Sequence, residues 1–341
     1  MKTVEFDYNL PKELIAQEPA EKRSESRLMA VNVMDGSIKH EVFEDITKHL
    51  KCGDVLVLND TKVIPARVFG FKEKTMAKIE ILVLNMDENR WDCLVKNARA
   101  VKIGTKVIFD ERYLSGMCIE KHDDGICVFM MASDYPLMDV LDKIGLVPLP
   151  PYIKKTTRDF TRYQTIYARQ LGSSAAPTAG LHFTNALLEE IKAAGVQIAT
   201  VTLHIGLGTF KPVEVEDIEH HTMHAEYYEI SKADAAIIQN AKDEKRCVIS
   251  VGTTSARALE TVAQKYGKIK PSSGMSEIFI YPGYEFKIVD ALITNFHLPK
   301  STLLMMISAF GGLELIKEAY QIAIKARYRF FSFGDAMFLH R

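Results

Sequence analysis

In "CVISVGTTSARALETVAQKYG", residues 247–267, a strand pattern passes directly into a helix pattern. Cys247 to Val251 is an apolar run rich in β-branched residues, which suits a buried strand. From Thr253 the composition changes to Ala, Arg, Leu, Glu, Gln and Lys, which favour helix, and Gly267 ends the run. The same change recurs on both sides. "VQIATVTLHIG" (196–206) reads as a buried strand, and "TNALLEEIKAAG" (184–195) before it as a helix with Thr184 as N-cap and Gly195 at its end. "SKADAAIIQNAKDEKR" (231–246) is a helix opened by Ser231-x-x-Asp234. "DALITNF" (290–296) is a strand and "KSTLLMMISAF" (300–310) a helix, while "DVLVLND" (54–60) adds an apolar strand near the start. Alternation of this kind predicts a mainly parallel sheet with helices packed on it.

One segment has a different texture. "KIEILVLN" (78–85), "RWDCLVKN" (90–97), "TKVIFD" (105–110), "GMCIEK" (116–121) and "GICVFMM" (125–131) are short strands with no helix between them. Asp124-Gly125 joins the last two as a hairpin turn signal. A small antiparallel barrel is predicted, closed off by the proline-rich "GLVPLPPYI" (145–153), where Pro148, Pro150 and Pro151 mark a linker. Residues 1–68 and 150–341 then form one discontinuous α/β domain, with the barrel of residues 69–149 inserted.

Composition narrows the function classes. A chain of 341 residues is long for one core, and 47% hydrophobic with 26% charged residues is an ordinary globular balance. A net charge of −1 argues against a general nucleic-acid coat but leaves room for a local basic face. "MKTVEFDYNL" carries no signal-peptide pattern, and the most apolar run, "LLMMISAF", is only eight residues, far short of a membrane span. Five cysteines without a C-x-x-C pair fit a reducing cytoplasm and core packing.

Ligands of open α/β sheets collect at the carboxyl ends of strands. There the sequence places His204 with Gly206 and Gly208, then Gly252-Thr253-Thr254-Ser255 ahead of a helix. Asn295, His297 and Lys300 follow another strand, and Asn59-Asp60-Thr61 a fourth. Each has a plain alternative, since Gly-Thr-Thr-Ser also caps helices and a lone histidine is often structural. "GSSAAPTAGLHFT" (172–184) is bare of charge except at His182, and small residues let a backbone approach a ligand closely. "IEHHTMHAE" offers His220, His221 and His224, whose spacing admits zinc only on a helix; polar contact with substrate or proton transfer is the other reading. "PYIKKTTRDFTRYQTIYARQ" (151–170) interleaves cations and rings, a composition suited to single-stranded RNA or to a solvated linker.

Several longer blocks carry a family resemblance: "LNDTKVIPARVFG", "PLPPYI", "RYQTIYA", "AAPTAGLHFT", "VTLHIGLGTFKPV", "MHAE", "VGTTSARALE", "IFIYPGYEFKIVDALITNFHLPKSTLLMMISAF" and "YRFFSFGDAM". Together they resemble the S-adenosylmethionine:tRNA ribosyltransferase-isomerase family of queuosine biosynthesis, from about residue 6 to the C-terminus. Ser174 departs from it, where an apolar residue is expected. The resemblance implies a barrel-like α/β domain with an inserted β-barrel. It implies transfer and isomerisation of the ribosyl part of S-adenosylmethionine onto 7-aminomethyl-7-deazaguanine at the wobble position of tRNA, giving epoxyqueuosine, adenine and methionine. The partners implied are tRNAs with a GUN anticodon (Asp, Asn, His and Tyr), with no metal and no cofactor beyond S-adenosylmethionine, in the cytoplasm and away from membranes.

In that chemistry a base removes a proton from the ribose carbon beside the sulfonium, and His182, His204 and His297 are the candidates. The residues expected to bind substrate are Ala176, Pro177, Thr178, Ala179, Gly180, Gly206, Gly208, Thr209, His221, His224, Glu226, Gly252, Thr253, Thr254, Ser255, Arg257, Asn295 and Lys300. Those expected to bind tRNA are Lys154, Lys155, Arg158, Arg162 and Tyr163. Two other readings stay open: a metal-dependent nucleoside hydrolase built on His220, His221 and His224, and a tRNA-binding protein without catalysis.

Overall fold

A computed structural model describes residues 1–122, 125–149, 152–153, 160–206 and 213–341. Asp124 of the expected hairpin, Pro150 and Pro151 of the linker, and Gly208, Thr209, Lys154, Lys155 and Arg158 among the expected site residues lie outside them.

The chain divides into two compact units, Met1–Lys62 with Pro150–Gln170 and Ala176–Arg341, and Val63–Leu149 with Leu171–Ala175. The second unit begins six residues ahead of the expected residue 69. The reason is packing: Ile64, Ala66 and Val68 already belong to the second unit's core. Leu171–Ala175 returns to it, and the Ile64 N–H donates to the Ser173 carbonyl at 3.0 Å.

In chain order the strands of the first unit start with β1 (Arg27–Asn32), β2 (Ile38–Val42) and β3 (Val55–Asn59), followed by the short β4 (Thr61–Val63). The second unit contributes β5 (Arg67–Lys72), β6 (Lys78–Asp87), β7 (Arg90–Val95), β8 (Lys106–Asp110), β9 (Leu114–Lys121), β10 (Ile126–Ala132) and helix α1 (Leu137–Ile144). After β11 (Gln170–Ser173) come α2 (Asn185–Ala193), β12 (Gln197–Leu203), β13 (Glu226–Ile230), α3 (Lys232–Asp243), β14 (Val248–Val251), α4 (Thr253–Tyr266), β15 (Ser272–Ser276), β16 (Ala291–Asn295), α5 (Thr302–Gly311), α6 (Leu313–Lys325) and β17 (Ala336–His340).

The first unit is an α/β sheet of nine strands in the order β15-β13-β12-β3-β14-β16-β17-β1-β2. Its centre is parallel, as the strand–helix alternation requires: β12 with β3, β3 with β14, and β14 with β16. Its margins are mixed. β13 and β15 run antiparallel on one side. On the other, β17 runs antiparallel to β16 and parallel to β1, and β2 forms a hairpin with β1. The sheet is therefore mixed rather than mainly parallel, and β15 and β2 are its edges among the described residues. β3, β14 and β16 are buried along their whole length, which is why each reads as a continuous apolar run.

Helix boundaries follow local chemistry. The Thr184 and Ser231 hydroxyls each accept from the backbone N–H three residues on, at 3.1 Å, opening α2 and α3. Ser301 does the same for α5 at 3.2 Å. Gly267 closes α4 with φ +72°, a conformation glycine adopts without cost.

The second unit is a closed antiparallel barrel in the order β10-β7-β6-β5-β8-β9. Alternate residues of each strand point inward, so Ile79, Ile81, Val83, Trp91, Cys93, Val95, Phe109 and Phe129 meet in one core.

Candidate active site

The carboxyl ends of β14 and β16 open into a cleft with an empty volume of about 780 Å³, which continues into solvent. One wall is Ala176, Pro177, Thr178 and Ala179. A second is Gly252, Thr253 and Thr254 at the start of α4. A third runs along the end of β16, from Thr294 through Asn295, Phe296 and His297 to Pro299, and Phe331 and Ser332 close the far side.

The cleft wall is built from hydrogen bonds with a direction. Thr178 Oγ1 donates to Asn295 Oδ1 at 2.9 Å, and Asn295 Nδ2 donates to His182 Nε2 at 3.1 Å and toward the Asp335 carbonyl at 3.4 Å. His182 Nδ1 lies 2.6 Å from Ser26 Oγ, whose own proton goes to the Arg23 carbonyl at 3.3 Å. So arranged, the chain places the proton on Nδ1 and the Asn295 amide oxygen on the Thr178 side. Burial, reinforced by the charges of Arg23 and Arg329, pushes the His182 pKa down to about 3.

His182 was expected as a candidate base. It stands instead behind Asn295, stacked on Phe43 at 4.9 Å, with both ring nitrogens engaged. It positions an amide and has no open lone pair to offer a substrate.

His297 does face the cleft. Its Nε2 lies 2.8 Å from Thr294 Oγ1, and Nδ1 makes no hydrogen bond among the described residues. Its backbone is clamped on both sides: the N–H donates to Tyr320 Oη at 2.8 Å, and the carbonyl accepts from Tyr8 Oη. Burial pushes its pKa down to about 3, so the ring is neutral at any working pH. His204 is half-buried at the end of β12, stacked on Tyr227 at 5.5 Å, with Nδ1 2.7 Å from Thr61 Oγ1. Burial lowers its pKa, and Asp60 and Glu229 pull the other way. It adjoins the cleft residue Ile205 without lining the cleft itself.

Of the expected substrate-binding residues, Ala176, Pro177, Thr178, Ala179, Gly252, Thr253, Thr254 and Asn295 line the cleft. Others hold it from behind. Glu226 and Arg257 form a fully buried ion pair, and Glu226 Oε1 accepts from the Gly206 N–H at 2.9 Å. Ser255 Oγ donates to the Val251 carbonyl at 2.8 Å, tying α4 to β14. Lys300, with φ +56°, is paired with Asp7 at 2.8 Å. Gly180 is not among the residues that line the cleft, and an added Cβ would stand 2.0 Å from Tyr167 Oη and 2.8 Å from Thr165 Cγ2, so packing against Tyr167 favours glycine there. His221 packs on Phe279 at 5.2 Å and His224 is exposed; neither lines the cleft. Among the described residues no three His, Cys, Asp or Glu side chains could together hold a metal ion.

Two expected tRNA contacts also change role. Tyr163 is fully buried with its ring against Phe333 at 5.7 Å, so it cannot stack on a base. Arg162 donates to the carbonyls of Ala20 and Glu21 at 2.6 and 3.1 Å, anchoring the N-terminal segment. Sequence reasoning overlooked Thr294, Phe331 and Ser332 as cleft residues. Phe331 and Ser332 sit inside the "YRFFSFGDAM" block, but neither residue type announces chemistry.

The fold is of the α/β class, with a cleft at the carboxyl ends of parallel strands, the place where ligands of such sheets collect. Known proteins narrow the class. The family described as "Queuosine biosynthesis protein" matches residues 3–339. The S-adenosylmethionine:tRNA ribosyltransferase-isomerase of Macrococcus caseolyticus is 54% identical over 336 residues, covering 98% of this chain and 99% of the relative. That of Clostridium kluyveri is 51% identical over 340 residues, covering 99% and 100%. The solved S-adenosylmethionine tRNA ribosyltransferase of Thermotoga maritima superimposes with a TM-score of 0.56 at 38% identity, over 98% of this chain and 99% of that one. The chain belongs to the queuosine biosynthesis family.

Proposed function

We infer that this cleft is where the chain transfers and isomerises the ribosyl moiety of S-adenosylmethionine onto 7-aminomethyl-7-deazaguanine in the wobble position of tRNA, giving epoxyqueuosine and releasing adenine and methionine. The observation that carries the placement is the cleft's lining: small residues on one wall, an uncapped helix start on the second, an oriented amide and a neutral histidine on the third. No side chain caps α4, so its first-turn N–H groups are available to an anion such as the methionyl carboxylate. The Thr178 hydroxyl, having given its proton to Asn295, offers acceptor lone pairs suited to ribose hydroxyls or an exocyclic amine.

The positive sulfur acidifies the hydrogens on the adjacent ribose carbon. His297 removes one: its ring is neutral, with Nδ1 free of protein partners. A proton must later reach the departing adenine, and the protonated His297 is the nearest store of it. The reaction draws on no metal and no cofactor besides the substrate S-adenosylmethionine.

The tRNAs acted on are those with GUN anticodons, and the basic stretch of Lys154, Lys155 and Arg158 supplies phosphate contacts. The enzyme works in the cytoplasm, in keeping with the fact that no described helix is long and apolar enough to cross a membrane. The deciding experiment is adenine release from S-adenosylmethionine. Release that requires tRNA bearing 7-aminomethyl-7-deazaguanine, and that survives thorough chelation, supports the reading. Release without modified tRNA, or loss on chelation, overturns it.

A further inference from the structure

Phe331 is a phenylalanine in a backbone conformation that phenylalanine avoids. Its φ is +75°, in the left-handed region, where an L side chain crowds its own backbone. The other described non-glycine residues with positive φ are Met76, Glu88, Asn97, Lys245, Lys300 and Arg327, none of them aromatic. The conformation is held firmly: the Phe331 N–H donates to the Phe296 carbonyl at 3.0 Å, and its own carbonyl accepts from the Gly334 N–H at 2.8 Å.

The strain has a visible consequence. Phe330 and Phe333, on either side, are buried in the core, whereas Phe331 is turned out and only half-buried, with its ring in the wall of the cleft. Tyr152 braces the ring, perpendicular to it with centroids 4.1 Å apart, and Tyr152 Oη is hydrogen-bonded to Ser332 Oγ. A strained, braced aromatic ring beside a ligand cleft is a surface prepared for another flat ring. Strain of this kind persists only where surrounding contacts hold it, and it gathers at ligand clamps.

We propose that Phe331 is a stacking wall for a purine-type base. This rests on the cleft being the ribosyl-transfer site, where two such bases meet: the adenine of S-adenosylmethionine and the deazaguanine of the tRNA. Both offer the same π-face, and the experiment separates them.

The test compares Phe331→Gly, Phe331→Leu and Phe331→Tyr in the full chain. Phe331→Gly removes the ring and the backbone strain together. Its thermal midpoint should hold or rise, while KM for one substrate rises about ten-fold or more, as loss of a base–aromatic stack does. kcat should stay within about three-fold. A rise in KM for S-adenosylmethionine assigns the ring to adenine; a rise for tRNA assigns it to the deazaguanine. Phe331→Tyr should restore the lost affinity, and Phe331→Leu should not.

Binding of free adenine and of S-adenosylmethionine, measured calorimetrically without turnover, tests the wall even if the assigned reaction fails. Failure of the reading itself would show as absence of tRNA-dependent adenine release in the wild type. The proposal is overturned if Phe331→Gly leaves both KM values and both binding affinities within two-fold of wild type. It is equally overturned if Phe331→Leu restores them as well as Phe331→Tyr, or if Phe331→Gly lowers the midpoint and both KM values move together.

Discussion

The two units fill their interiors differently. Among the described residues of the second unit the buried polar side chains are Ser173 and Ser174 on its returning segment, with none between Val63 and Leu149, while the α/β unit buries Asn59, Asp60, Glu226, Arg257, Asn295, His297 and Asp335, among others. The barrel core is Trp91, Phe109, Phe129, branched aliphatics and three thiols. Burial raises the thiol pKa of Cys93, and that of Cys118 to about 11, which leaves them inert. A buried polar group costs stability unless each donor and acceptor is met, so a core collects such groups only when every partner is specified. The α/β unit specifies them. Asn59, for example, donates to the Leu203 carbonyl at 3.0 Å and to Thr254 Oγ1 at 3.1 Å, linking the end of β3 to β12 and to the start of α4. Closure of a barrel needs only shape and alternation; a cleft at strand ends needs directed bonds behind it.

The largest effects should fall on opposite observables in the two units. His297→Gln is expected to lower turnover by about 10²- to 10⁴-fold, the range of a positioned proton transfer, with the fold kept by circular dichroism. The pH profile separates it from His204. If His297 is the base, kcat/KM has no acid limb until the protein itself begins to unfold, because the ring's pKa is near 3. An acid limb that is lost in His204→Ala would move the base to His204, whose pKa burial lowers while Asp60 and Glu229 pull it back up. In the barrel, Phe129→Ala should cost about 3–5 kcal/mol of unfolding free energy and leave turnover per folded molecule unchanged. A stable Phe129→Ala protein with lost turnover would bring the barrel into the chemistry.

What was legible in the sequence follows the same division. Buried parallel strands show as unbroken apolar runs, and inward-facing barrel strands as alternation, so both were visible. β17 was not. It enters between β16 and β1, far apart in sequence, and no local pattern encodes such a pairing. The cleft was half legible. Gly252–Thr254, Asn295 and Ala176–Ala179 stand out because strand ends and small residues carry a signal. The roles of His182 and His297 were not separable: "GLHFT" and "NFHLP" offer similar apolar neighbours, and only packing decides which ring faces the cleft. Glu226 and Arg257 have the residue types of a ligand site, yet they pair with each other in the interior, and Glu226 also accepts from the Gly206 N–H.

Gly180 sharpens the boundary between lining and support by a smaller margin. Gly180→Ala should lower stability and activity together, by about 1–3 kcal/mol, because its Cβ meets Tyr167 Oη. Adding Tyr167→Phe removes the nearest clashing atom and should recover part of the loss. Ala179 lines the cleft, so Ala179→Leu should lower activity more than the melting midpoint. Equal behaviour of the two substitutions would erase the distinction between Ala179 and its neighbour.

The smallest effect is one of acid stability, and it too belongs to the polar core alone. His182 and His297 are neutral in the fold with pKa near 3, whereas a histidine in the unfolded chain titrates near ~6.5. Between those values the unfolded state binds more protons, so the stability these rings contribute is complete above about pH 6.5 and drains away as pH falls toward 3. From pH 7.5 to pH 5 each ring should account for about 2 kcal/mol of lost unfolding free energy. Denaturant unfolding of wild type, His182→Gln and Phe129→Ala at both pH values measures this. His182→Gln, whose side chain can still accept from Asn295 Nδ2, should show a pH dependence weaker by one histidine. Phe129→Ala should be less stable at both pH values with the wild-type dependence intact. Parallel curves for wild type and His182→Gln would mean that the ring behind Asn295 takes up its proton in the fold over the same pH range as in the unfolded chain, and the Asn295 amide would then have to face the other way once the ring is charged.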